Sequence, residues 1–234
     1  MRAFEIPTSK AKLKLLDAAE LQVSEKGFDA VSVRDVTQLA KANVAAVNYH
    51  FGSREGMMGL MMARRMGPVH QNQLQNLDLL EKKRGSKAVP LEELLEAWFS
   101  PLFLEISKNE NRDQMLRLSV ARILSLPVLA LPDPLQNSGA ELWKRYLKAF
   151  GKCLKDISAE ELAWRLHLLN GAATQSLMGA DSTRIWTGIG KAAATAEQRL
   201  SRLLRLAAPL MREGGMRQEE QVAPAKPPQG TFDF

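Results

Sequence analysis

Closely spaced helix caps near the N-terminus restrict residues 9–56 to short helices joined by tight turns. The first helix spans Ser9 to Lys26, where Leu13, Leu16, Ala19 and Val23 recur at helical spacing. Gly27 follows Lys26 at the position of a left-handed cap. Ser32 and Asp35 form a capping box for a second helix that ends near Ala40. Asn43 caps a third helix, Val44 to His50, which Phe51-Gly52 breaks. Ser53 caps a fourth, which starts at Arg54 and runs through Met57, Met58, Leu60, Met61 and Met62, with a kink expected at Gly67-Pro68.

The remaining chain keeps the same period, and strand signals are nearly absent. Glu81 to Pro90 is charged, contains Gly85 and reads as a loop. Helical segments follow at Leu91–Lys108, Arg112–Leu126, Leu135–Leu154, Ala159–Gly179 and Arg184–Met211. Pro127 to Pro134 holds three prolines and is not regular helix. Ser158-Ala159-Glu160-Glu161 is a second capping box. The expected fold class is all-α, with a three-helix domain over residues 1–56 and a larger helical domain over 57–212. Residues 213–234, rich in Gly, Gln, Glu and Pro, are expected to be a disordered tail.

Three short helices with two tight turns are the layout of a helix-turn-helix. Its second helix must enter a DNA major groove, so the exposed residues near that helix's start must be short. Val44, Ala45 and Ala46 meet this demand and can touch thymine methyl groups, and Asn48 can bond to a base or phosphate. Tyr49 and His50 can donate to phosphates, which sets register rather than sequence. Arg34, near the start of the preceding helix, can reach a phosphate or a guanine edge. Taken alone, Tyr49-His50-Phe51 fits equally well as the aromatic end of a small core helix, and Phe51 is core in either case.

Charge bounds the partners without locating them. The net charge is +6 and the isoelectric point is near 9.5, which admits nucleic acid. Yet residues 1–56 hold eight Lys/Arg against seven Asp/Glu, a net of only +1. The single cysteine, Cys153, excludes an internal disulfide and any multi-cysteine metal or iron–sulfur site, and fits a reducing compartment. Cys153 lies among Phe150, Leu154 and Lys155 on an apolar helix, where a buried thiol is expected. The three histidines follow no metal-ligand pattern, so neither metal nor cofactor is expected. Met1 to Lys14 has no apolar run of the signal-peptide kind, and no segment reaches membrane-span length. A cytoplasmic, nucleoid-associated protein is expected. No phosphate loop, nucleophile elbow, Cys–His pair or paired-carboxylate signature is present, so catalysis is not expected.

The words Leu16-Asp17-Ala18-Ala19, Glu25-Lys26-Gly27-Phe28, Ser32-Val33-Arg34-Asp35-Val36 and Val47-Asn48-Tyr49-His50-Phe51-Gly52-Ser53-Arg54-Glu55 occur in order. Over Leu16–Met62 the chain resembles the DNA-binding domain of the TetR family of bacterial regulators. The resemblance implies that Arg34, Ala45, Ala46, Asn48, Tyr49, His50 and Arg54 face DNA. Lys41 stands in Ala40-Lys41-Ala42 where the family usually has glycine. Glycine suits a positive φ there, and lysine takes it with some strain. Lys41 offers a phosphate contact in return, and Asn43 joins the expected DNA-facing set.

The resemblance also implies that the remaining helices bind a small effector and dimerise, the last two making a four-helix interface with their partners. Leu162, Leu166, Leu169 and Ala173 form one stripe on Ala159–Gly179. Ile185, Ile189, Ala192, Ala193, Ala196, Leu200, Leu203 and Ala207 lie on Arg184–Met211. These residues fit a dimer interface, and intramolecular packing takes one face of each helix. A dimer places two recognition helices on one face of DNA, so the operator is expected to be an inverted repeat.

Trp98, Phe99, Phe103, Met115, Leu118, Trp143, Tyr146 and Phe150 fit either an apolar effector cavity or plain core. Polar residues within apolar helices, namely Arg122, His167, Asn170 and Gln175, are the other candidates, with His167 expected as a core histidine. Val44 to Ser53, Gly67-Pro68 and Trp164-Arg165-Leu166-His167 leading to Gly171-Ala172-Ala173 resemble a TetR branch that includes fatty-acid-responsive regulators. That similarity implies an acyl chain or acyl-CoA effector, and the wider family resemblance implies a repressor, since most members act by covering a promoter. The alternative is a DNA-bound architectural or activator protein without a small-molecule effector.

Overall fold

The computed structural model describes residues 9–107, 133–178, 186–188 and 194–213. Among them are eight helices and no strand: α1 (Lys10–Lys26), α2 (Val33–Ala40), α3 (Val44–Phe51), α4 (Arg54–Arg84), α5 (Leu91–Ser107), α6 (Asp133–Cys153), α7 (Ala159–Met178) and α8 (Ala196–Glu213). The expected segment Arg112–Leu126 and the tail beyond Glu213 lie outside the described residues. No helix among those residues is long and apolar enough to cross a membrane.

The N-terminal caps form as their spacing dictates. Ser9 accepts from the Lys12 backbone N–H at 3.2 Å. Ser32 accepts from the Asp35 N–H at 3.2 Å while Asp35 accepts from the Ser32 N–H at 2.9 Å, closing the capping box. The Asp35 carboxyl, held by Ser32 and by Lys26, is pushed well below the usual carboxylate range. Asn43 Oδ1 accepts from the Ala45 N–H at 3.0 Å, and Ser53 Oγ from the Gly56 N–H at 3.0 Å.

Three expectations are corrected. First, α4 continues through Pro68 and on to Arg84, so Glu81–Arg84 is helix rather than loop. Packing against α5 and α6 holds it, because Val69, Gln73, Leu74 and Leu77 are all buried there. Second, the last helix starts at Ala196 and not at Arg184. Thr195 and Gln198 bond reciprocally, Gln198 N–H to Thr195 Oγ1 at 3.2 Å and Thr195 N–H to Gln198 Oε1 at 3.1 Å. That capping box begins a new helix, and Gly188 upstream has φ +66°. Third, α3 includes Phe51, with Gly52 at φ +75° ending it.

One apolar core runs from Leu15 to Met211. Leu16, Ala19, Val23, Val36 and Val47 from α1–α3 meet Met57 and Met61 of α4. The far half of α4 packs on α5 and α6, and α8 packs on α5 and α7. The fourth helix therefore belongs to both halves of the molecule. Arg64 pairs with Asp17 at 2.6 Å and lies 3.6 Å from Glu20, and Arg65 pairs with Glu20, tying α1 to α4.

Candidate nucleic-acid interface

The turn between α2 and α3 is set by Lys41. Its φ of 51° and ψ of 47° are left-handed, the only such non-glycine residue among those described. Lys41 N–H donates to Gln38 O at 3.2 Å and Ala42 N–H to Thr37 O at 2.9 Å, which is the Schellman closure of α2. Lysine thus adopts the conformation that glycine would take without strain.

From this turn α3 projects outward with only Val47 fully buried. Val44, Ala45, Asn48 and Tyr49 are exposed, as are Arg34, Lys41 and Asn43 on the adjoining turn and helix. Tyr49 is 85% exposed, too open to serve as core. Ala46 and His50 are half-buried. The His50 ring stands edge-on between Tyr49 and Phe51, with centroids 5.0 and 6.2 Å away. Phe51 packs against the core, as expected.

Arg54 departs from the expected set. Its Nε donates to Val31 O at 2.8 Å, and Nη2 donates to Phe28 O. The guanidinium satisfies two loop carbonyls between α1 and α2 that helix bonding leaves open. Arg54 therefore braces the domain from within. Gly56 completes this corner and was not picked out from sequence. A Cβ on it would sit 2.2 Å from the Phe51 carbonyl oxygen, so only glycine lets the end of α3 meet the start of α4.

In the helical body, Trp98, Phe99, Phe103, Tyr146 and Phe150 are buried and pack on one another. Trp98 meets Trp143 and Tyr146 edge to face, at 5.3 and 4.9 Å between centroids. Trp98 Nε1 donates to Asn170 Oδ1 at 2.9 Å. Gln73 Nε2 donates to Trp98 O at 2.6 Å, and the Tyr146 hydroxyl donates to Gln73 O at 2.8 Å. Burial holds that hydroxyl above the ordinary tyrosine range. Met115, Leu118 and Arg122 lie outside the described residues. His167 and Gln175 are exposed, which corrects the reading of His167 as a core histidine. His167 stacks on Trp164, and with Trp143 they line an open cleft of about 730 Å³. Cys153 is half-buried, and burial pushes its thiol up.

Polar side chains that escaped the sequence reading include Gln73 and Arg165, which are buried, and His70, which is half-buried. Each sits at core register on its own helix, His70 and Gln73 beside Leu74 and Leu77, Arg165 between Leu162 and Leu169. That register was the available signal. His70 Nδ1 lies 2.9 Å from Ser138 Oγ, and burial lowers its pKa to about 4.

The expected dimer stripe is also corrected. Leu162, Leu166, Leu169 and Ala173 of α7, with Leu203 and Ala207 of α8, are buried within the chain, and Ala196 and Leu200 are half-buried. Ile185, Ile189, Ala192 and Ala193 lie outside the described residues. The opposite face of α7 carries exposed Trp164, Leu168, Gly171 and Ala172, and α8 exposes Leu206 and Leu210.

A capped helix-turn-helix with an exposed second helix, carried on a larger helical body, defines the class of one-chain DNA-binding regulators. Residues 15–60 match the family model for bacterial regulatory proteins of the tetR family, and residues 96–208 match that for a tetracyclin repressor-like C-terminal domain. The chain belongs to the TetR family, and is a DNA-binding transcriptional regulator rather than an enzyme.

Solved structures agree on the fold. The fatty acid degradation regulator FadR from Bacillus halodurans superposes with a TM-score of 0.53 at 12% identity, covering 91% of this chain and 99% of that one. A regulator from Saccharomonospora viridis in complex with choline gives 0.52 at 19%, covering 86% and 97%. A tetR family regulator from Shewanella gives 0.53 at 14%, covering 85% and 96%. No curated protein matches the chain.

Proposed function

We propose that the protein is a homodimeric repressor that binds an inverted-repeat operator through α3 and leaves it when a small apolar effector binds the body. One observation carries the DNA-binding face: Asn48 and Tyr49 stand exposed on α3, with Arg34 and Lys41 beside them, and none of these four side chains has a polar partner among the described residues. Ala45 and Ala46 allow close approach to base edges, and Asn43 and His50 border the same surface. One eight-residue helix reads few bases, so two copies on one face of the duplex are required for a long site.

The dimer surface in this reading is the outer face of α7 and α8. Trp164 is 58% exposed and Leu206 is 70% exposed, which is unusual for large apolar residues on adjacent helices. Gly171 and Ala172 between them permit close helix approach.

The effector reading, an acyl chain or acyl-CoA, rests on the sequence resemblance to fatty-acid-responsive members and on the aromatic content around Trp98 and Tyr146. The B. halodurans FadR likeness is compatible with it at the level of fold. The effector would shift dimers between two half-site spacings, to the extent of its differential affinity for the two states. The edge-to-face packing and satisfied donors around Trp98 favour a second reading, a regulator with no small effector.

Genome-wide footprinting tests the first claim, with an inverted repeat expected under the bound sites. Enrichment without any such repeat would refute the dimeric operator. A thermal-shift panel of fatty acids and acyl-CoAs tests the second. Stabilisation by one chain-length class is expected, and a flat response across the panel leaves the effector-free regulator.

A further inference from the structure

Ion pairing sorts the charges of the first domain in a way that its net charge hides. Asp17 and Glu20 face Arg64 and Arg65 of α4, Lys26 holds Asp35 at 3.0 Å, and Arg54 is committed to loop carbonyls. Among the described residues of this domain, Lys10, Lys12, Lys14, Arg34 and Lys41 are left without a carboxylate partner. Arg34 and Lys41 belong to the face already described. The three lysines of α1 do not.

Helical geometry separates these three. Lys12 precedes Leu16, Ala19 and Val23 by four, seven and eleven positions, so it extends the buried stripe by one turn. Lys10 and Lys14 share the outward face with exposed Asp17 and Leu21. Lys12 is half-buried, and its Nζ lies 5.4 Å from the centroid of the Phe51 ring. Phe51 ends α3 directly after Tyr49 and His50, and the three rings follow one another along the surface. The ring satisfies one side of the ammonium. Its three N–H donors still need acceptors, and no carboxylate among the described residues supplies one.

We infer that Lys12 is a DNA-contacting residue, binding the phosphate backbone where it passes the C-terminal end of α3. The Phe51 ring holds the ammonium at that end, so the line of phosphate-facing groups runs from Tyr49 and His50 on to Lys12. Lys12 sits in the first turn of α1, capped by Ser9, where the helix N-terminus adds to the positive potential. Lys12 precedes the family-model match, which begins at residue 15, so family membership does not assign this role. The inference rests on the DNA-binding reading of α3.

The test is fluorescence anisotropy with a short random-sequence DNA duplex, run on the full chain between ~50 and ~200 mM salt. Each phosphate contact contributes about 0.9 to the slope of log affinity against log salt. Lys12→Gln is expected to flatten the slope by about that amount for each DNA-binding domain engaged. Lys12→Arg should keep the wild-type slope. Lys14→Gln removes the same charge from the outward face and should leave the slope near wild type. Thermal melting checks each fold, and Lys12→Met, which keeps the stem over the ring, replaces Lys12→Gln if that variant unfolds. Equal slopes for wild type and the uncharged Lys12 variants, or equal flattening by Lys12→Gln and Lys14→Gln, would overturn the inference while leaving α3 as the DNA reader. Absence of salt-dependent binding by the wild type would overturn both.

Discussion

Arg165 donates from Nη1 to the carbonyl oxygen of Met211 at 2.8 Å, fastening the start of α7 to the end of α8. The opposite ends are fastened in the same way, because Arg199 Nη1 donates to Ser176 O at 3.2 Å. Two antiparallel helices thus have their last carbonyls capped by each other's guanidinium groups. Arg165 is 2% exposed and also holds Glu161 through Nε at 2.7 Å. Arg165→Ala is expected to destabilise the protein by about 2–4 kcal/mol, since it opens a buried hydrogen-bonded charge site. Arg165→Lys should recover little, because one ammonium cannot reproduce the fork. Urea denaturation of the three proteins measures both, and wild-type stability in either variant would remove Arg165 from this role.

Replacing Asn48 and Tyr49 together by alanine should abolish specific operator binding and leave the dimer intact. Neither side chain supports the core, so melting should stay within a few degrees of wild type. Gel shift with a footprinted operator and size-exclusion chromatography give the two readouts. Retained operator affinity would reassign the reading helix.

Gly56→Ala should cost about 1–3 kcal/mol by overpacking, because the new Cβ meets the Phe51 carbonyl oxygen at 2.2 Å. Relief of that clash must move the end of α3, so DNA affinity should fall along with stability. A variant that melts and binds like wild type would show that this corner can relax freely.

Lys41→Gly should stabilise the fold by about 0.5–1 kcal/mol. The left-handed conformation at φ 51° costs lysine about 1–2 kcal/mol, and part of that gain is lost to glycine's greater freedom when unfolded. DNA affinity should move the opposite way, with a shallower salt slope, if Lys41 holds a phosphate. Paired melting and anisotropy titrations separate the two effects.

His70 makes stability depend on pH. Burial lowers its pKa from 6.5 to about 4, so the folded state prefers the neutral ring. The contribution is fully present above pH 6.5 and is lost as pH falls from there through 4. By pH 5 the loss is about 2 kcal/mol. His70→Gln can keep the bond to Ser138 without the titration, and its denaturation midpoint should fall less between pH 7.5 and 5 than that of wild type. Parallel pH dependence in the two proteins would exclude His70 as the source.

The sequence by itself determined the local architecture of the DNA-binding half. Ser32, Asp35, Asn43, Gly52 and Ser53 could be read directly because each cap acts on backbone two to four residues away. Lys41 stood out only against the family resemblance, and the exposure of Tyr49 was decided by the fold, since its letters fit a core helix equally well. Tertiary structure decided what these signals leave open. The stripe Leu162, Leu166, Leu169 and Ala173 is evident in sequence, but α6 and α8 take it inside the chain and leave Trp164 and Leu168 outside. Arg54 finds its carbonyls 23 and 26 positions back, and Arg165 finds Met211 46 positions on. Periodicity places a side chain on a face of its own helix, whereas its partner depends on which distant backbone the fold brings to that face.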